Sequence, residues 1–287
     1  MIIKLENLNY IYNPNTPFKK IALDNVNLDI DEGDFIGLIG HTGSGKSTLV
    51  QHLNGLIKPT SGRVIVDGID ISAEDSNLRE VRQKVGLVFQ YPEHQLFEEN
   101  IYKDIAFGPK NLGLDDDEVE LRVKKAMESV GLNFIELKDR SPFELSGGQK
   151  RRVAIAGVLA MQPKVLVLDE PTAGLDPRGR DDILGGIKRL YKEEGITIIL
   201  VSHSMEDIAR LVNKIVAMHN GKIAMKGEAR EVFKQPEKLE ELGLGIPQIT
   251  SFMKKYKMKG NPINDVVLTV EEAKEELINY LRRKGNA

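Results

Sequence analysis

The sequence of 287 residues contains no cysteine, and this absence excludes disulfide bonds, thiolate metal sites and cysteine nucleophiles. It is consistent with a cytosolic location. The net charge is only −3, so the chain lacks the basic excess that binding to duplex DNA usually requires. The segment that starts at Met1 alternates like a β-strand and has no basic stretch followed by an apolar run, so we expect no signal peptide.

Long apolar runs are absent as well. The longest run, 196–201, has the length of a strand and falls far short of the roughly 18 residues that cross a bilayer. The composition, with 41% hydrophobic and 29% charged residues, is typical of a soluble globular protein. If this protein acts at a membrane, another component must hold it there.

Apolar runs of strand length alternate with amphipathic stretches over most of the chain. This alternation favours an α/β fold in which helices cover both faces of a parallel sheet. We predict strands at 1–12, 26–30, 35–39, 63–66, 85–89, 165–168, 196–201, 214–218 and 222–225. We predict helices at 44–56, after Asp115, from Ser146 to about Met161, and at 178–194, 204–211 and 270–283.

The strand pattern ends near residue 227, and glycine and proline then break the chain into short helical pieces. We therefore expect one large domain over 1–230, with a helical insertion at about 91–161. A small, mainly helical appendage is expected over 231–287. It could serve dimerisation or regulation, and its sequence does not choose between the two.

A glycine-rich motif follows the apolar run 35–39 and precedes a predicted helix. It has the pattern G-x-x-x-x-G-K-S of a phosphate-binding loop. Its residues are Gly40, His41, Thr42, Gly43, Ser44, Gly45, Lys46, Ser47 and Thr48. In such a loop the backbone N–H groups and the helix N-terminus bind phosphate oxygens. The pattern implies that Lys46 reaches the β- and γ-phosphates of a nucleotide and that Ser47 coordinates Mg²⁺.

Two carboxylates, Asp169 and Glu170, end the apolar run 165–168. Four apolar residues indicate a buried strand, and a solvated turn rarely follows so apolar a run. Asp169 can hold a metal there, either directly or through water. The adjacent Glu170 can accept a proton from an attacking water. The pair therefore predicts hydrolysis of the bound nucleotide.

A second glycine-rich motif, Leu145-Ser146-Gly147-Gly148-Gln149, opens a predicted helix between these two motifs. A serine hydroxyl and two glycines at a helix N-terminus make another anion-binding site. With the motifs on either side, it resembles the signature of ABC ATPases, and the order along the chain is the same. The resemblance covers 1 to about 230. It implies a mixed sheet with antiparallel N-terminal strands, a RecA-like core, an inserted helical subdomain, and the cofactors ATP and Mg²⁺.

The resemblance gives roles to four further residues. Gln90 and His203 each end a predicted strand. They resemble the glutamine that contacts Mg²⁺ and the attacking water and the histidine that lies near the γ-phosphate. Asp176 belongs to a segment that resembles the loop crossing between two subunits. Tyr12 resembles the aromatic residue that stacks on adenine, although Tyr10 is a close alternative and either can be an ordinary strand residue.

In the ABC family two such domains face each other head to tail. Each ATP lies between the phosphate loop of one domain and the signature of the other. Because this chain has one copy of each motif, the resemblance implies a second ABC ATPase subunit. That subunit is either a similar but distinct chain or an identical one, and the sequence leaves both possibilities open.

Several finer motifs resemble the ATPases of energy-coupling factor transporters, which import vitamins or transition-metal ions. These motifs lie at 13–17, 90–98, 104–109, 141–143 and 173–178. The first of them looks more like the second of the two paired ATPases of such an importer. The resemblance implies two membrane partners, a transmembrane coupling protein and a substrate-binding protein. It also implies a peripheral location on the cytoplasmic face of the cell membrane.

Tyr91, Leu96 and Phe97 follow the predicted strand 85–89, and two interpretations of them are open. They form a groove for an apolar helix of a membrane partner, or they pack into the helical insertion.

Two other functions share the phosphate loop. A soluble ABC ATPase that clamps nucleic acid in repair or translation usually carries a coiled-coil insertion or a second ATPase domain, and this chain has neither. A non-catalytic regulatory module would not need Glu170 and His203. We therefore predict a transport ATPase without a nucleic-acid partner, with the soluble clamp as the alternative.

Overall fold

The computed structural model of the protein describes residues 1–285. The strands in this range are β1 (Ile3–Tyr12), β2 (Lys20–Ile30), β3 (Phe35–Gly40), β4 (Ser61–Val66), β5 (Ile69–Asp70), β6 (Val85–Val88), β7 (Val165–Asp169), β8 (Thr197–Val201), β9 (Lys214–His219) and β10 (Lys222–Glu228). The helices are α1 (Lys46–Leu53), α2 (Leu78–Lys84), α3 (Ile101–Asn111), α4 (Asp116–Ser129), α5 (Phe134–Leu137), α6 (Gly147–Leu159), α7 (Pro177–Glu194), α8 (Met205–Leu211), α9 (Ala229–Phe233), α10 (Pro236–Glu241), α11 (Gln248–Met258) and α12 (Val270–Gly285).

The strands form two sheets. The smaller sheet is antiparallel and has the order β2-β1-β4-β5. The larger sheet has the order β10-β9-β3-β8-β7-β6 and is parallel except for the β9–β10 hairpin. The predicted α/β class, with a mixed sheet and antiparallel N-terminal strands, is confirmed.

The larger sheet is covered on both faces, which explains why its central strands are continuously apolar. Every residue of β3 and β8 is buried. Along β7, Leu166 and Leu168 belong to the core cluster shared with the helices, whereas Val165 and Val167 belong to the cluster shared with the smaller sheet. This two-sided burial is what a parallel strand requires.

Helices α3, α4 and α6 pack against one another between β6 and β7 in the chain. Helix α4 begins where its acidic cap predicts, since the Asp115 carboxylate accepts a hydrogen bond from Glu118 N at 2.9 Å. Helix α3, which the sequence analysis did not identify, buries Ile101 and Ile105 against its neighbours. No helix in the described range is long and apolar enough to cross a membrane.

The C-terminal region divides into two parts. Residues of α9 and α10, among them Phe233 and Leu239, join the core of the main domain. Helices α11 and α12 enclose a separate small cluster that includes Met253 and Tyr280. The boundary between 230 and 231 remains a prediction, and residues 286–287 of the predicted appendage lie outside the described residues.

The topology brings the motifs of the sequence to one edge of the larger sheet. Because β3, β6, β7 and β8 are parallel, their carboxyl ends meet at the same edge. The glycine-rich loop follows β3, Gln90 lies just after β6, Glu170 follows β7 and His203 follows β8. Helix α1 begins at Lys46, two residues later than predicted, because Gly45 has a φ of +107°.

Candidate active site

Three glycines hold the loop 40–48 in shape, and two of them leave no room for a side chain. A Cβ atom on Gly40 would lie 2.5 Å from the Met218 carbonyl oxygen, and one on Gly45 would lie 2.6 Å from that of Ala22. Gly43 has a φ of +83° and no atom within 4 Å of its Cβ position. Gly43 therefore faces open space, and the loop can admit a ligand close to its backbone.

Lys46 is folded onto this loop. Its Nζ donates hydrogen bonds to the carbonyl oxygens of Gly40 at 2.6 Å and His41 at 3.1 Å. Burial lowers the pKa of Lys46, while the negative charges of Glu170 and Asp169 act in the opposite direction. The ammonium group thus sits partly desolvated opposite two carboxylates, where an anion would find a positive charge with few competing water molecules.

Ser47 and Asp169 meet across the junction of β3, α1 and β7. The Ser47 hydroxyl donates to Asp169 Oδ2 at 3.3 Å. Burial raises the pKa of Asp169, and the Ser47 hydrogen bond and the Lys46 charge oppose that rise. A hydroxyl beside a carboxylate is an all-oxygen donor pair, the type that Mg²⁺ prefers, so the residues present fit this ion.

Glu170 occupies an unusual position. Its backbone is held at a φ of +51°, and its N–H group donates to the Val201 carbonyl at 3.0 Å. Burial and the neighbouring Asp169 charge raise the pKa of Glu170 to about 7. Its Oε1 atom is buried without a hydrogen-bond partner. A carboxylate with such a pKa can accept a proton near neutral pH.

His203 lies beside Glu170, with its Nε2 atom 3.4 Å from Glu170 Oε1. Burial lowers the pKa of His203, and the Lys46 charge lowers it further. The imidazole is therefore disposed to be neutral next to this carboxylate.

These groups surround one cavity of about 490 Å³. It is lined by Tyr12, Lys20, Ala22, Thr42, Gly43, Gly45, Lys46, Ser47, Thr48, Gln90, Asp169, Glu170, Ala173 and His203. The structure thus brings Tyr12, Gln90, Asp169, Glu170 and His203 together with the glycine-rich loop. Gly40, His41 and Ser44 shape that loop from beneath without lining the cavity.

The structure also separates the two tyrosines of β1. Tyr12 is 36% exposed, and its hydroxyl lies 3.2 Å from Thr48 Oγ1 on the cavity wall. Tyr10 packs edge-to-face on His52, with ring centroids 4.9 Å apart, and joins the core. Tyr12 is therefore the aromatic residue that a ligand in the cavity would meet.

The second glycine-rich motif does not line this cavity. Ser146 caps α6 through a reciprocal pair of hydrogen bonds, in which Gln149 N donates to Ser146 Oγ and Ser146 N donates to Gln149 Oε1. Gly147 and Gly148 have no atom within 4 Å of their Cβ positions. Asp176 caps α7, also away from the cavity, by accepting from Gly179 N at 3.1 Å. A ligand held in the chain's own cavity therefore does not meet the second glycine-rich motif or Asp176.

Sequence reasoning missed Lys20 and Ala22 as lining residues. Lys20 pairs with Tyr12 across β1 and β2, but the register shifts along β1 hide that pairing from the sequence. It also missed Arg151, which is 1% exposed and joins α6 to the segment after Glu170. Its position two residues after the second glycine-rich motif was the only available signal.

Comparison with known proteins identifies this arrangement. A family model described as ABC transporter matches residues 23–173. The chain belongs to the ABC transporter family. An ABC ATPase domain of this type binds ATP or ADP and hydrolyses ATP.

Two curated relatives refine the membership. This ABC ATPase is 58% identical to the energy-coupling factor transporter ATP-binding protein EcfA2 of Clostridium perfringens, over 99% of this chain and 100% of the relative. It is 60% identical to the protein of the same name from Clostridium tetani, over 99% of both chains. The predicted likeness to the second ATPase of such a transporter is confirmed.

Solved structures agree with this assignment. The ABC ATPase is similar to cbiO1 from Clostridium perfringens, described as part of the ABC transporter complex cbiONQ, with a TM-score of 0.74 and 40% identity over 88% of this chain and 98% of that one. It is also similar to a dimeric ATP-binding cassette in a post-hydrolysis state with bound ADP and Pi, with a TM-score of 0.70 and 31% identity over 79% of this chain and 99% of that one. The chain is an ATPase subunit of an energy-coupling factor type importer, and the soluble clamp is not favoured.

Proposed function

We propose that this chain hydrolyses MgATP in the cavity described above, with Glu170 as the general base. The observation that supports the proposal best is the convergence of Lys46, Ser47, Asp169 and Glu170 on a single cavity. A cation, a metal-ligand pair and a base with a pKa of about 7 are the groups that phosphoryl transfer to water requires.

Mg²⁺ would be held by Ser47 and Asp169, which are already in contact, and by Gln90, which lines the same cavity. When bound, this ion would neutralise charge that develops on the β- and γ-phosphates.

Different residues of the chain bind the phosphates, stack on the base and activate the attacking water. The loop 40–48 binds the phosphates through its backbone N–H groups, and Lys46 exchanges its two carbonyl acceptors for phosphate oxygens. Tyr12 stacks on the adenine. Glu170 takes a proton from the attacking water, and His203 lies where it can orient both the carboxylate and the γ-phosphate.

The nucleotide-binding site is completed by a second ABC ATPase subunit, either a similar but distinct chain or an identical one. Ser146, Gly147, Gly148 and Gln149 would bind the γ-phosphate of the ATP held by that subunit, and Asp176 would lie in the contact between subunits. The open surface over Gly147 and Gly148 supports this assignment, because no atom of residues 1–285 lies within 4 Å of their Cβ positions.

We further propose that the paired ATPases bind a transmembrane coupling protein, which works with a separate substrate-binding membrane protein. This would place the chain peripherally on the cytoplasmic face of the cell membrane. The cargo would be a vitamin or a transition-metal ion.

A groove of about 330 Å³ between β6, α3 and α6 is a candidate docking place for the coupling protein. Leu96, Phe97 and Phe107 line it, and the two phenylalanines are 60% and 48% exposed. Tyr91 does not line the groove. Its ring centroid lies 5.8 Å from the guanidinium carbon of Arg151.

The domain organisation is part of the same proposal. The nucleotide-binding domain spans 1–230, with the helical subdomain at about 91–161, and the appendage 231–287 contributes to dimerisation. Exposed apolar side chains on α11 and α12, namely Phe252, Met258 and Leu281, support a contact between appendages.

The proposal is tested by Glu170→Gln in the full-length chain. The carboxamide keeps the shape and loses the basicity, so ATP hydrolysis should fall by about 10²–10⁴. ATP binding measured by calorimetry should be unchanged, and the ATP-bound dimer should accumulate. The exposed Glu136→Gln is the matched control. Near-normal turnover in Glu170→Gln would remove Glu170 from the role of base.

A further inference from the structure

The loop that carries His203 is attached to α7 by an ion pair that the reaction does not use directly. Arg180 donates from Nε to both carboxylate oxygens of Asp207 at 3.2 Å and from Nη2 to Asp207 Oδ1 at 2.7 Å. The same Nη2 also donates to the Ser204 hydroxyl at 2.6 Å. One guanidinium thus binds the residue next to His203 and a carboxylate one turn further on.

The two acceptors of Arg180, Asp207 and Ser204, are held in place by burial and by further hydrogen bonds. Asp207 is only 4% exposed, and its backbone N–H donates to Ser204 Oγ at 3.2 Å. The Ser204 backbone N–H donates in turn to the hydroxyl of the buried Ser202 at 3.1 Å. These bonds fix the backbone on the C-terminal side of His203, and each depends on Ser204 keeping its position.

The His203 ring itself has little to hold it. Its side chain is 54% exposed, and its polar contact is the 3.4 Å approach of Nε2 to Glu170 Oε1. The backbone on either side therefore determines where the ring lies. That backbone also binds Glu170, because the Val201 carbonyl accepts a hydrogen bond from Glu170 N at 3.0 Å. A shift of this segment would move both groups.

At its other end, Arg180 is anchored near the loop that contains Asp176. It lies in the first turn of α7, and its backbone N–H donates to the Asp176 carbonyl at 2.9 Å. A rigid, planar side chain that makes a fork of bonds transmits position better than a flexible ammonium would. Arg180 therefore connects the start of α7 to the His203 segment.

A second ion pair shows that α7 and α8 do not need Arg180 merely to stay together. Arg210 Nη1 lies 2.9 Å from Asp181 Oδ1, with side chains 49% and 65% exposed. This pair joins the same two helices without touching Ser204 or Asp207. It provides a matched control for any effect that comes only from joining the helices.

We propose that Arg180 is a positioning residue for ATP hydrolysis, which holds Ser204 and Asp207 so that His203 is set against Glu170. This inference rests on the proposed function, because it takes His203 to act in the reaction. Arg180 is not among the residues that line the nucleotide cavity, so its effect passes through His203.

The test uses Arg180→Met, Arg180→Lys and Arg210→Met in the full-length chain, each also combined with His203→Ala. A misplacement of about 1 Å can cost about 10²-fold in rate, so Arg180→Met should lower kcat by about 10- to 100-fold. KM for MgATP should stay within about twofold, since the lost interaction does not bind the ground state. Arg180→Lys should recover only part of kcat, and Arg210→Met should match the wild type.

The cycle with His203→Ala separates positioning from a purely structural role. If Arg180 acts through His203, Arg180→Met causes no further loss of kcat once His203 is alanine. Equal losses in both backgrounds would overturn the inference. Since Arg180→Met leaves a buried carboxylate unpaired, Arg180→Met with Asp207→Asn removes both charges and keeps the fold testable. Normal kcat in that double variant would also overturn it.

The kcat of His203→Ala alone distinguishes a failure of the proposed function from a failure of the positioning role of Arg180. A normal kcat in that variant would contradict the proposed role of His203, and the inference about Arg180 would fall with it. A reduced kcat with additive losses from Arg180→Met would leave the proposed function standing and remove only the role of Arg180.

Discussion

Arg151 joins Glu93 to the segment that follows Glu170. Its guanidinium donates from Nη2 and Nε to the two oxygens of Glu93, at 2.7 Å and 3.0 Å, and from Nη1 to the carbonyls of Pro171 and Ala173, at 2.9 Å and 2.8 Å. Three parts of the chain therefore meet at one buried side chain. They are the turn after Gln90, the helix that opens with Ser146, and the strand end that carries Asp169 and Glu170.

We expect Arg151→Met to destabilise the protein by about 3–5 kcal/mol, because it leaves a largely buried carboxylate without its partner. The carbonyls of Pro171 and Ala173 also lose their donor. Thermal unfolding of the full-length chain measures the effect. The neighbouring Arg152, whose guanidinium reaches only the Gly131 carbonyl at 3.5 Å, is the control, and Arg152→Met should melt close to the wild type. Equal melting of the two variants would contradict the structural importance of Arg151.

Replacing Lys46 with alanine removes the positive charge beside the phosphate loop. A hydrogen bond to a charged group contributes about 1.5–3 kcal/mol, so ATP should bind roughly 10- to 150-fold more weakly. Calorimetric titration with MgATP gives the affinity directly. Lys19→Ala removes a charge from an exposed position and should have little effect. Unchanged ATP affinity in Lys46→Ala would show that the loop does not hold the phosphates as described.

Glu170 makes the fold less stable at alkaline pH. Burial raises its pKa from 4.5 to about 7, so the folded protein holds this proton more tightly than the unfolded chain. Stability therefore falls as the pH rises from about 4.5 to 7 and stays lower above that window. Glu170→Gln should remove this loss and stabilise the nucleotide-free protein at pH 8 by about 1–2 kcal/mol, a value reduced for partial exposure.

Melting temperatures at pH 8 and pH 5, without nucleotide or magnesium, test this expectation. The gain in Glu170→Gln should be largest at pH 8 and about fourfold smaller at pH 5. The exposed Glu120→Gln should show no such dependence. A variant that melts below the wild type at pH 8 would show that the carboxylate is stabilised rather than strained.

The apolar groove can be tested without disturbing the core. Phe97 and Phe107 contact each other edge-to-face at 5.1 Å and are both substantially exposed, so serine at both positions should change the melting temperature little. If a membrane partner docks there, losing this contact area should weaken docking by about 10- to 100-fold. Co-purification with the membrane component measures docking, and basal ATP hydrolysis should remain.

Ile135→Ser serves as the control for the groove, since Ile135 is 83% exposed and lies outside it. Normal assembly of the Phe97 and Phe107 double variant would argue against the groove. A large drop in its melting temperature would support packing within the helical layer instead.

The sequence was most informative where the functional residues are close together in the chain. The loop 40–48, the pair Asp169 and Glu170, and the helix start at Ser146 depend on local spacing, and the order of strands and helices follows from apolar periodicity. These features allowed the fold class and the proposed roles of most site residues to be predicted before any distance was known.

Relationships between distant residues could not be predicted in the same way. Glu93 and Arg151 are 58 positions apart, and Arg180 and Asp207 are 27 apart. Tyr10 and Tyr12 could not be told apart either, because residues two apart on a regular strand share a face, and the register shifts on either side of Tyr10 appear only in the folded sheet.

The position of Ser146–Gln149 outside the chain's own cavity has a consequence for the order of the reaction. On the proposed pairing, a solitary chain carries two incomplete halves of a catalytic centre that cannot reach each other. In dilute solution the hydrolysis rate of such chains should then rise with the square of their concentration, because each active site forms only when two chains associate. An assembly that holds two chains side by side would make the rate first order, so the kinetic order itself reports whether the chains are tethered.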